Sequence, residues 1–357
     1  MTRVAIFTDN DFGKVNGVTT TLNAVLRHTP GDVRPCVFTL SDLGVRDPDY
    51  VALMAVGAGI PYYRDMRLYA PRFAALVRET RAFRASVIHV TTPGPVGLAA
   101  RWIARRLGLP MVGSFHTHLA EYASALSGSE ALGRAMNAYM RWLYAPCEPV
   151  LVPSQATASM LMTAGWRRDR LALWSRGVDA AVFTPAKRGA DLRERWRVSD
   201  RRPAILYAGR LSREKGLDLL PQIGSWLSRL RVPFRFIIVG DGPYRRELQE
   251  ACPDAVFTGT LGREGVAEAM ASADVFLFPS ATDSLGNVVL EAQAAGLPVV
   301  VSDQGGPREN MVPWVTGHVS MAGDPLDFAW RVASILQDRE LRSTMAARAR
   351  AYGQQRG

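Results

Sequence analysis

The chain has 357 residues, 48% of them hydrophobic, and a formal net charge of +10. A single hydrophobic core is unusual at this length, so we expect two domains of roughly 150 to 200 residues. No window of about 18 uncharged apolar residues occurs, which argues against a membrane-spanning helix. The first residues lack the length and cleavage site of a secretory signal, which predicts a cytoplasmic protein.

The positive charge is concentrated in the first half of the chain. Residues 1–190 hold 22 Lys and Arg against 13 Asp and Glu, whereas residues 191–357 hold 21 against 20. This asymmetry predicts that the first half meets an anionic partner. Nucleic acid is not the expected partner because no recognition motif accompanies the charge. The cysteines Cys36, Cys147 and Cys252 are too far apart for a disulfide framework or a metal cluster, and we expect them to be reduced.

Short apolar runs alternate with helical stretches along the first half, at residues 4–8, 33–40, 87–91, 111–115 and 149–153. This alternation predicts an α/β domain with a doubly wound parallel sheet. The polar segment 184–202 is the predicted linker, and it divides the chain into domains 1–188 and 189–357.

Two groups of residues follow strands of the first half. The glycine-rich segment 13–18 includes Gly17, which either brings backbone close to a ligand or makes an ordinary turn. His116 and His118 follow the strand at 111–115, where a ligand contact and a structural role both remain open. Asp9-Asn10-Asp11 resembles a metal-binding Asp-x-Asp element. We do not expect a metal there, since the segment is separate from the phosphate-compatible elements described below.

A second series of apolar runs occupies residues 204–208, 234–239, 255–258, 275–279 and 298–302. Two successive units of this kind predict a pair of Rossmann-like domains facing an interdomain cleft, where open α/β folds bind ligands. Neither half has G-x-G-x-x-G after a strand, so a dinucleotide-dependent oxidoreductase is not favoured.

Phosphate-compatible turns follow the strands of this second series. Gly209, Arg210 and Lys215 belong to the turn after the first strand, where the two cations could neutralise a diphosphate or be ordinary surface charges. Gly240 and Gly242 follow the next strand, and Thr258 ends the third. Their glycines permit a close backbone approach to a ligand but also suit a plain turn.

The most informative segment is 279–292, in which a strand ends and a helix begins near Leu285, Gly286 and Asn287. Free N–H groups at such a helix start bind phosphate. Glu291 lies one helical turn further, which suits ribose hydroxyls, and Asp283 precedes the helix, which suits sugar hydroxyls. The structural alternative makes Asp283 a helix N-cap and Glu291 a surface residue.

Taken together, these residues resemble the family 4 retaining glycosyltransferases of GT-B fold, and the resemblance covers almost the whole chain. Asp283, seven residues and then Glu291 correspond to the Glu-x7-Glu signature of the family. Arg210 and Lys215 correspond to its phosphate-binding pair, Gly240 to Pro243 to its Val-Gly-x-Gly-Pro turn, and His116 to its histidine near the transferred sugar.

The resemblance implies metal-independent, front-face transfer of a hexosyl group from a UDP- or GDP-linked sugar, without a cofactor. The implied catalytic residues are His116, Arg210, Lys215 and Asp283. The implied donor-binding residues are Gly17, Gly209, Gly240, Gly242, Thr258, Leu285, Gly286, Asn287 and Glu291.

Two departures from the family pattern carry expectations of their own. Asp283 is one methylene shorter than the usual Glu, which predicts an altered donor preference. The chain stops at Gly357, before the long helix that usually crosses back over the first domain, so we expect either that the sequence is truncated or that the domains are tied less firmly.

The acceptor is expected to be a glycan or a lipid. The segment around Asn287 resembles transferases that act on lipids, of mannosyl and sulfoquinovosyl types. Arginines between 64 and 84, interleaved with apolar residues, suit an anionic membrane surface, but they also suit a solvated amphipathic helix. The rival functions are a nucleotide-sugar epimerase of GT-B fold and a non-catalytic module that binds a nucleotide sugar or a membrane.

Overall fold

The computed structural model of the protein describes residues 1–10, 17–42, 44–60, 63–116 and 118–356, without the side chains of residues 17, 59, 60, 63–68, 122, 125 and 126. Backbone contacts divide the chain into two compact units. The first comprises Met1–Pro153 and Ala158–Trp174, and the second comprises Ser154–Thr157 and Ser175–Gly357. The chain therefore passes from the first unit to the main part of the second at residue 175, whereas the predicted second domain begins at residue 189.

Within the described residues, the strands of the first unit are three to nine residues long. They are β1 (Thr2–Phe7), β2 (Val33–Ser41), β3 (Val45–Asp47), β4 (Tyr50–Met54), β5 (Gly57–Ile60), β6 (Tyr63–Tyr69), β7 (Val87–Val90), β8 (Met111–Ser114), β9 (Cys147–Val152) and β10 (Leu171–Leu173). Eight of them form one sheet in the order β10-β9-β8-β7-β1-β2-β4-β3. All its pairs are parallel except β3 with β4, and β5 and β6 form a separate antiparallel pair.

Helices alternate with these strands: α1 (Gly17–Arg27), α2 (Phe73–Phe83), α3 (Pro95–Leu107), α4 (Leu119–Ser127), α5 (Glu130–Tyr144) and α6 (Gln155–Thr163), with a 3-10 turn at Arg168–Arg170. Local sequence explains the limits of α3. Pro95 opens the helix, where its missing N–H costs nothing, and Gly108 ends it in the left-handed conformation at φ 64°.

The first sheet is covered on both faces. Phe7 and Phe38 belong to the main core, whereas Ile6 packs with Leu22 of α1 on the opposite face. Burial on both faces is what parallel strands require, and it explains why these strands read as nearly continuous apolar runs.

The second unit contains a six-stranded sheet whose pairs are all parallel. Its strands are β11 (Ala204–Ala208), β12 (Arg235–Val239), β13 (Val256–Gly259), β14 (Val275–Phe278), β15 (Val299–Ser302) and β16 (Gly317–Ser320), in the order β13-β12-β11-β14-β15-β16. The order reverses between β11 and β14, which is the switch point where doubly wound sheets bind ligands.

The helices of this unit are α7 (Ala190–Arg195), α8 (Leu220–Arg229), α9 (Arg245–Ala251), α10 (Arg263–Ser272), α11 (Asn287–Ala294), α12 (Pro325–Gln337) and α13 (Arg339–Gln354). Short 3-10 turns occupy Pro185–Lys187, Arg213–Lys215, Leu217–Leu219 and Pro307–Asn310. The core includes Tyr207, Phe276 and Phe328, all nearly inaccessible. Gly353 of α13 lies against α11, where an added Cβ would meet Ala294 Cα at 2.6 Å.

The fold class and all ten predicted strands are confirmed, with strand ends shifted by at most two residues. The three cysteines are buried and free, and burial raises the pKa of the Cys36 thiol to about 12. No helix in the described ranges is both long and apolar enough to span a bilayer.

Candidate active site

The turns after β11 and β12 pack against each other through their backbones. An added Cβ on Gly240 would lie 1.9 Å from the carbonyl oxygen of Gly209, and one on Gly242 would lie 2.3 Å from that of Leu211. The N–H of Leu211 donates to the carbonyl of Asp241 at 2.9 Å. The two glycines are therefore needed for contact between turns, and their predicted approach to a donor remains a prediction.

The turn after β11 brings Lys215 to the loop after β14. Its Nζ lies 2.8 Å from Asp283 Oδ1, and both side chains are only about one-fifth exposed, at 19% and 21%. Thr282 joins the same two segments by donating to the carbonyl of Glu214 at 3.0 Å. The structure thus brings together Lys215, predicted to bind phosphate, and Asp283, predicted to bind the sugar, although they are 68 residues apart in sequence. Arg210 is exposed in the same turn.

The start of α11 has no internal side-chain cap. Its N-cap is Gly286, in the left-handed conformation at φ 68° and ψ 60°, and no side chain of that residue can accept from the first turn. The alternative that Asp283 caps this helix is therefore wrong. The first N–H groups of a helix lack partners within it, so those after Gly286 can serve an anion.

A buried network holds this helix start in place. Asn310, only 2% exposed, donates from Nδ2 to the carbonyls of Leu285 and Gly286, at 2.6 and 3.3 Å. Gly306 donates from its N–H to the carbonyl of Asp283 at 2.8 Å. Protein donors thus hold the carbonyls of Asp283, Leu285 and Gly286. Because the N–H of a trans peptide points opposite to its carbonyl, the N–H groups of these peptides point away from the donors.

Two buried oxygen acceptors at this position have no hydrogen-bond partner in the described part of the chain: Asp283 Oδ2 and Asn287 Oδ1. A buried acceptor without a donor costs about 1–3 kcal/mol, which a ligand hydroxyl or N–H would remove. The helix start therefore offers both N–H donors for an anion and unsatisfied oxygens for hydroxyl groups.

Glu291 lies on α11 one turn beyond this start and is partly buried. Burial raises the pKa of Glu291 to about 7, and the positive charge of Arg263 opposes the rise. Its carboxyl group is thus poised between its protonated and ionised forms near neutral pH. Thr258 is the second-last residue of β13 and donates from Oγ1 to the carbonyl of Gly259 at 2.9 Å.

Asp9 occupies a different kind of helix start, in the first unit. Its Oδ1 accepts from the N–H of Val96 at 2.8 Å and its Oδ2 from Thr92 Oγ1 at 2.5 Å. Burial raises the pKa of Asp9, and these hydrogen bonds oppose the rise.

Among the described residues no group of three His, Cys, Asp or Glu could hold a metal ion. The remaining members of the predicted segments, residues 11–16, lie outside the described residues, and Gly17 begins α1.

His116 belongs to a chain of polar side chains at the ends of β7 and β8. Its Nε2 lies 2.8 Å from Ser114 Oγ, and the same hydroxyl lies 3.0 Å from His89 Nε2. Trp174 packs with its ring edge-on to both imidazoles, at 6.2 Å between centroids in each case. His118 instead places Nδ1 2.9 Å from Met160 Sδ, and residue 117 between the two histidines lies outside the described residues.

His89, Trp174 and Asn310 were not among the predicted site residues. His89 carries a visible signal, since a histidine near the end of a buried strand is unusual. Trp174 follows β10, and Asn310 is the last residue of the 3-10 turn Pro307–Asn310; apolar periodicity did not reveal either of these short elements.

Two family models match the chain. The model described as Glycosyltransferase Family 4 matches residues 15–182, and the one described as Glycosyl transferases group 1 matches residues 190–352.

Similar proteins extend the match to nearly the whole chain. A GDP-mannose-dependent alpha-mannosyltransferase of Mycobacterium tuberculosis is 35% identical over 98% of this chain and 92% of its own length. The sulfoquinovosyl transferase SQD2 of Arabidopsis thaliana is 32% identical over 98% of this chain and 69% of its own. Among solved structures, sucrose-phosphate synthase of Thermosynechococcus elongatus aligns over 100% of this chain and 95% of its own, with a TM-score of 0.79 at 19% identity.

Two α/β units with a helix start and basic turns at the switch point of the second sheet define a glycosyltransferase of GT-B fold. The chain belongs to glycosyltransferase family 4.

Proposed function

We propose that this glycosyltransferase moves a hexosyl group from a nucleotide-diphosphate sugar to an acceptor hydroxyl, with retention of anomeric configuration. The observation that carries the proposal is the start of α11, where uncapped N–H groups adjoin Asp283 Oδ2 and Asn287 Oδ1, which have no hydrogen-bond partner among the described residues. The N–H groups can bind a diphosphate, and the oxygens of Asp283 and Asn287 can accept hydrogen bonds from hydroxyl groups.

In the proposed reaction, the acceptor oxygen attacks the anomeric carbon on the face from which the diphosphate departs. The bond from that carbon to the phosphate oxygen breaks, and the departing oxygen takes the acceptor proton. Arg210, Lys215 and the N–H groups at Gly286 and Asn287 stabilise the charge that develops on the diphosphate. No protein nucleophile or metal ion is needed in this scheme.

The other predicted residues take supporting roles in the proposal. Asp283 accepts from the sugar hydroxyls and Glu291 from the ribose, while His116 contacts the sugar ring. Backbone contacts to the donor are proposed for Gly17, Gly209, Gly240, Gly242, Thr258 and Leu285. Binding a sugar at Asp283 would compete with or extend its ion pair to Lys215, which couples sugar binding to phosphate binding.

The base and the sugar are best sought among GDP-mannose and UDP-hexoses, because one similar protein is named for GDP-mannose and structural neighbours at 19% identity were solved with UDP. A thermal-shift screen of GDP- and UDP-linked sugars tests the choice, since ligand at 100 times its Kd adds about 2.7 kcal/mol of stability. We expect GDP-mannose to give the largest shift.

Turnover with the selected donor then tests the reaction itself. The proposal requires nucleoside diphosphate release that depends on acceptor, continues in excess EDTA, and yields a product whose anomeric proton shows the configuration of the donor. Donor binding without transfer to any lipid or glycan acceptor would point to a binding module. Conversion of the donor sugar without an acceptor would point to an epimerase.

For a lipid acceptor, we propose an anionic membrane surface as the partner of the first unit. Trp102 and Trp142 are 45% and 48% exposed on α3 and α5, and Arg106 and Arg101 lie over their rings. Helix α3 contains three arginines and no acidic residue. Exposed tryptophans beside arginines suit the lipid headgroup region. The predicted segment 64–84 lies partly outside the described side chains, at residues 64–68.

Sedimentation with liposomes tests this surface. Vesicles containing phosphatidylglycerol should bind the protein more tightly than pure phosphatidylcholine, and a Trp102→Ser, Trp142→Ser variant should lose most of that binding. Trp330→Ser is the matched control, because Trp330 is 55% exposed on α12 of the second unit. Equal binding by all three proteins would exclude the proposed surface.

A further inference from the structure

The side chain of Asn310 contacts two consecutive peptides at the start of α11. Its Nδ2 donates to the carbonyl of Leu285 at 2.6 Å and to that of Gly286 at 3.3 Å, and the residue is only 2% exposed. A carboxamide nitrogen has two hydrogens, so one group can serve both carbonyls. Because both partners are acceptors, the nitrogen of this amide rather than its oxygen must face them. One buried side chain therefore holds two neighbouring peptide planes.

The same two peptides carry N–H groups to which the proposed function assigns the diphosphate. The carbonyl of Leu285 shares its peptide with the N–H of Gly286, and the carbonyl of Gly286 shares its peptide with the N–H of Asn287. Both peptides are trans, so each N–H points opposite to the carbonyl that Asn310 holds. Neither N–H has an acceptor in the described part of the chain. Fixing the two carbonyls therefore fixes the direction of both N–H groups.

The main chain of Asn310 is tied to the same helix. Gln293, fully buried on α11, donates from Nε2 to the carbonyl of Asn310 and, at 3.2 Å, to that of Val289. Asn310 also ends the 3-10 turn Pro307–Asn310, whose first residue would lie 2.9 Å from a Cβ added to Gly286. The amide that holds the start of α11 is thereby fixed in relation to the helix itself.

We propose that Asn310 is a positioning residue of the donor site, which orients the N–H groups of Gly286 and Asn287 toward the diphosphate. It acts through the two peptides and does not touch the ligand. A hydrogen bond to a peptide carbonyl also polarises that peptide, which strengthens its N–H as a donor. Donors that are aligned before the charge develops need no reorganisation during the reaction. The inference rests on the proposed function, because it takes a diphosphate as the anion bound at α11.

Asn310→Leu tests the positioning role, because it keeps most of the side-chain volume, removes the donor and adds no charge. The probe is GDP or UDP, whichever binds the wild type more tightly. We expect it to bind at least about tenfold more weakly, as measured by calorimetry on protein shown by urea titration to be folded. The corresponding nucleoside, guanosine or uridine, lacks the phosphates and should bind as in the wild type. Asn310→Ala removes the same donor and serves if the leucine prevents folding.

Asn137→Leu is the matched control in the first unit. Asn137 of α5 also donates from Nδ2 to a backbone carbonyl, that of Ala164, at 2.9 Å. The same substitution there removes the same kind of hydrogen bond, so it should lower the free energy of unfolding and leave the affinity for GDP or UDP unchanged. A purely structural role of Asn310 predicts this same result for Asn310→Leu.

Steady-state kinetics supply a second reading. Asn310→Leu should lower kcat by about 10- to 100-fold, because the N–H groups no longer point at the departing phosphate. A diphosphate affinity within twofold of the wild type together with an unchanged kcat would overturn the inference. An equal loss of affinity for the nucleoside, or an equal loss in Asn137→Leu, would overturn it as well.

Carbon NMR of the ligand-free protein separates the two possible failures. The carbonyl shifts of Leu285 and Gly286 should move in Asn310→Leu, since both carbonyls lose their donor. If they move while diphosphate affinity and kcat stay as in the wild type, the positioning role is wrong and the proposed function stands. If the wild type itself binds neither GDP nor UDP and transfers no sugar, the proposed function fails before any variant is compared, and the inference fails with it.

Discussion

The starts of α3 and α11 use the same structural device in opposite ways. Both helices begin after a strand of a parallel sheet, and the N–H groups of their first turns point out of the N-terminal end of the helix. At α3 the buried carboxylate of Asp9 accepts from Val96 and Thr92 and fills the position. At α11 the N-cap is Gly286, which offers no side-chain acceptor.

The difference shows how to distinguish a helix start that a structural carboxylate fills from a helix start that can bind a ligand. An added Cβ on Gly94 would lie 2.6 Å from the Asp9 carboxylate, so this carboxylate lies directly against the start of α3. At α11, two buried oxygens instead remain without donors in the described part of the chain. A helix start that its own chain satisfies stabilises the fold, whereas one left unsatisfied next to cations is available to a ligand.

The largest expected effect comes from removing Arg210 and Lys215 from the turn after β11. Arg210→Ala combined with Lys215→Ala should lower turnover by at least about a thousandfold, because each donor to a developing anion is worth about 10²–10³. Turnover with the donor selected by thermal shift measures the loss, and urea titration separates it from the loss of about 1–3 kcal/mol of stability expected when Asp283 loses its partner Lys215. Arg213→Ala is the matched control, since Arg213 lies in the same turn but pairs with Glu247. An equal loss in that control would show that general charge, rather than this geometry, matters.

Asp9→Ala should have the next largest effect, on stability. It leaves the N–H of Val96 and the hydroxyl of Thr92 buried without an acceptor, which should lower the free energy of unfolding by about 2–3 kcal/mol. Urea titration measures this change. Asp324→Ala is the comparison, because Asp324 caps α12 from a partly exposed position and should cost only about 1 kcal/mol. The increase in Tm produced by GDP or UDP should be the same in Asp9→Ala as in the wild type, and its loss would contradict a purely structural role.

The strands and the start of α11 could be predicted because their signals are local. The five apolar runs of the second half match β11 to β15 within two residues, and the segment around Leu285 correctly placed a helix start. Strands β3 to β6, β10 and β16 were missed: β3 and β10 have only three residues each, β5 contains two glycines, and in β16 His318 interrupts the apolar pattern.

The side-chain partnerships could not be predicted in the same way. Lys215 and Asp283 are 68 residues apart, and Asp9 and Val96 are 87 apart. Such pairs depend on which strands become neighbours, and no local period carries that information. The sequence could propose Asp283 as an N-cap or a ligand contact, but only the fold shows it paired to Lys215 while Gly286 caps the helix.

A methyl group at Gly286 should close the open helix start partially. Gly286→Ala must adopt φ 68° and place Cβ 2.9 Å from Pro307 Cγ, so the loop has to shift. We expect nucleoside diphosphate to bind about tenfold more weakly, measured by calorimetry. Gly323→Ala is the control for backbone strain alone, because Gly323 has a similar φ of 76° but no atom within 4 Å of an added Cβ. It should lose about 1–2 kcal/mol of stability and no affinity. Similar losses of affinity in both variants would assign the effect to strain alone.

The smallest expected effect concerns Glu291, which tests whether the site extends one turn beyond the helix start. Its pKa is raised from 4.5 to about 7, so between these values the folded chain binds the proton more tightly than the unfolded chain. The resulting contribution to stability is present at low pH and is lost as the pH rises through 7. Across pH 5–8, Glu291→Gln should therefore lose less stability than the wild type, as measured by urea titration at each pH.

Donor binding should respond to the same ionisation in the opposite sense. A carboxylate that accepts from ribose hydroxyls is effective only when ionised, so the affinity for nucleoside diphosphate should rise with pH between 6 and 8. The rise can reach at most about tenfold, the change in the ionised fraction over that range. Ionisation of the phosphates is common to both proteins, so the wild type minus Glu291→Gln isolates the carboxyl group. An identical pH dependence in the two proteins would remove Glu291 from the ribose contact and end the site at the first turn of α11.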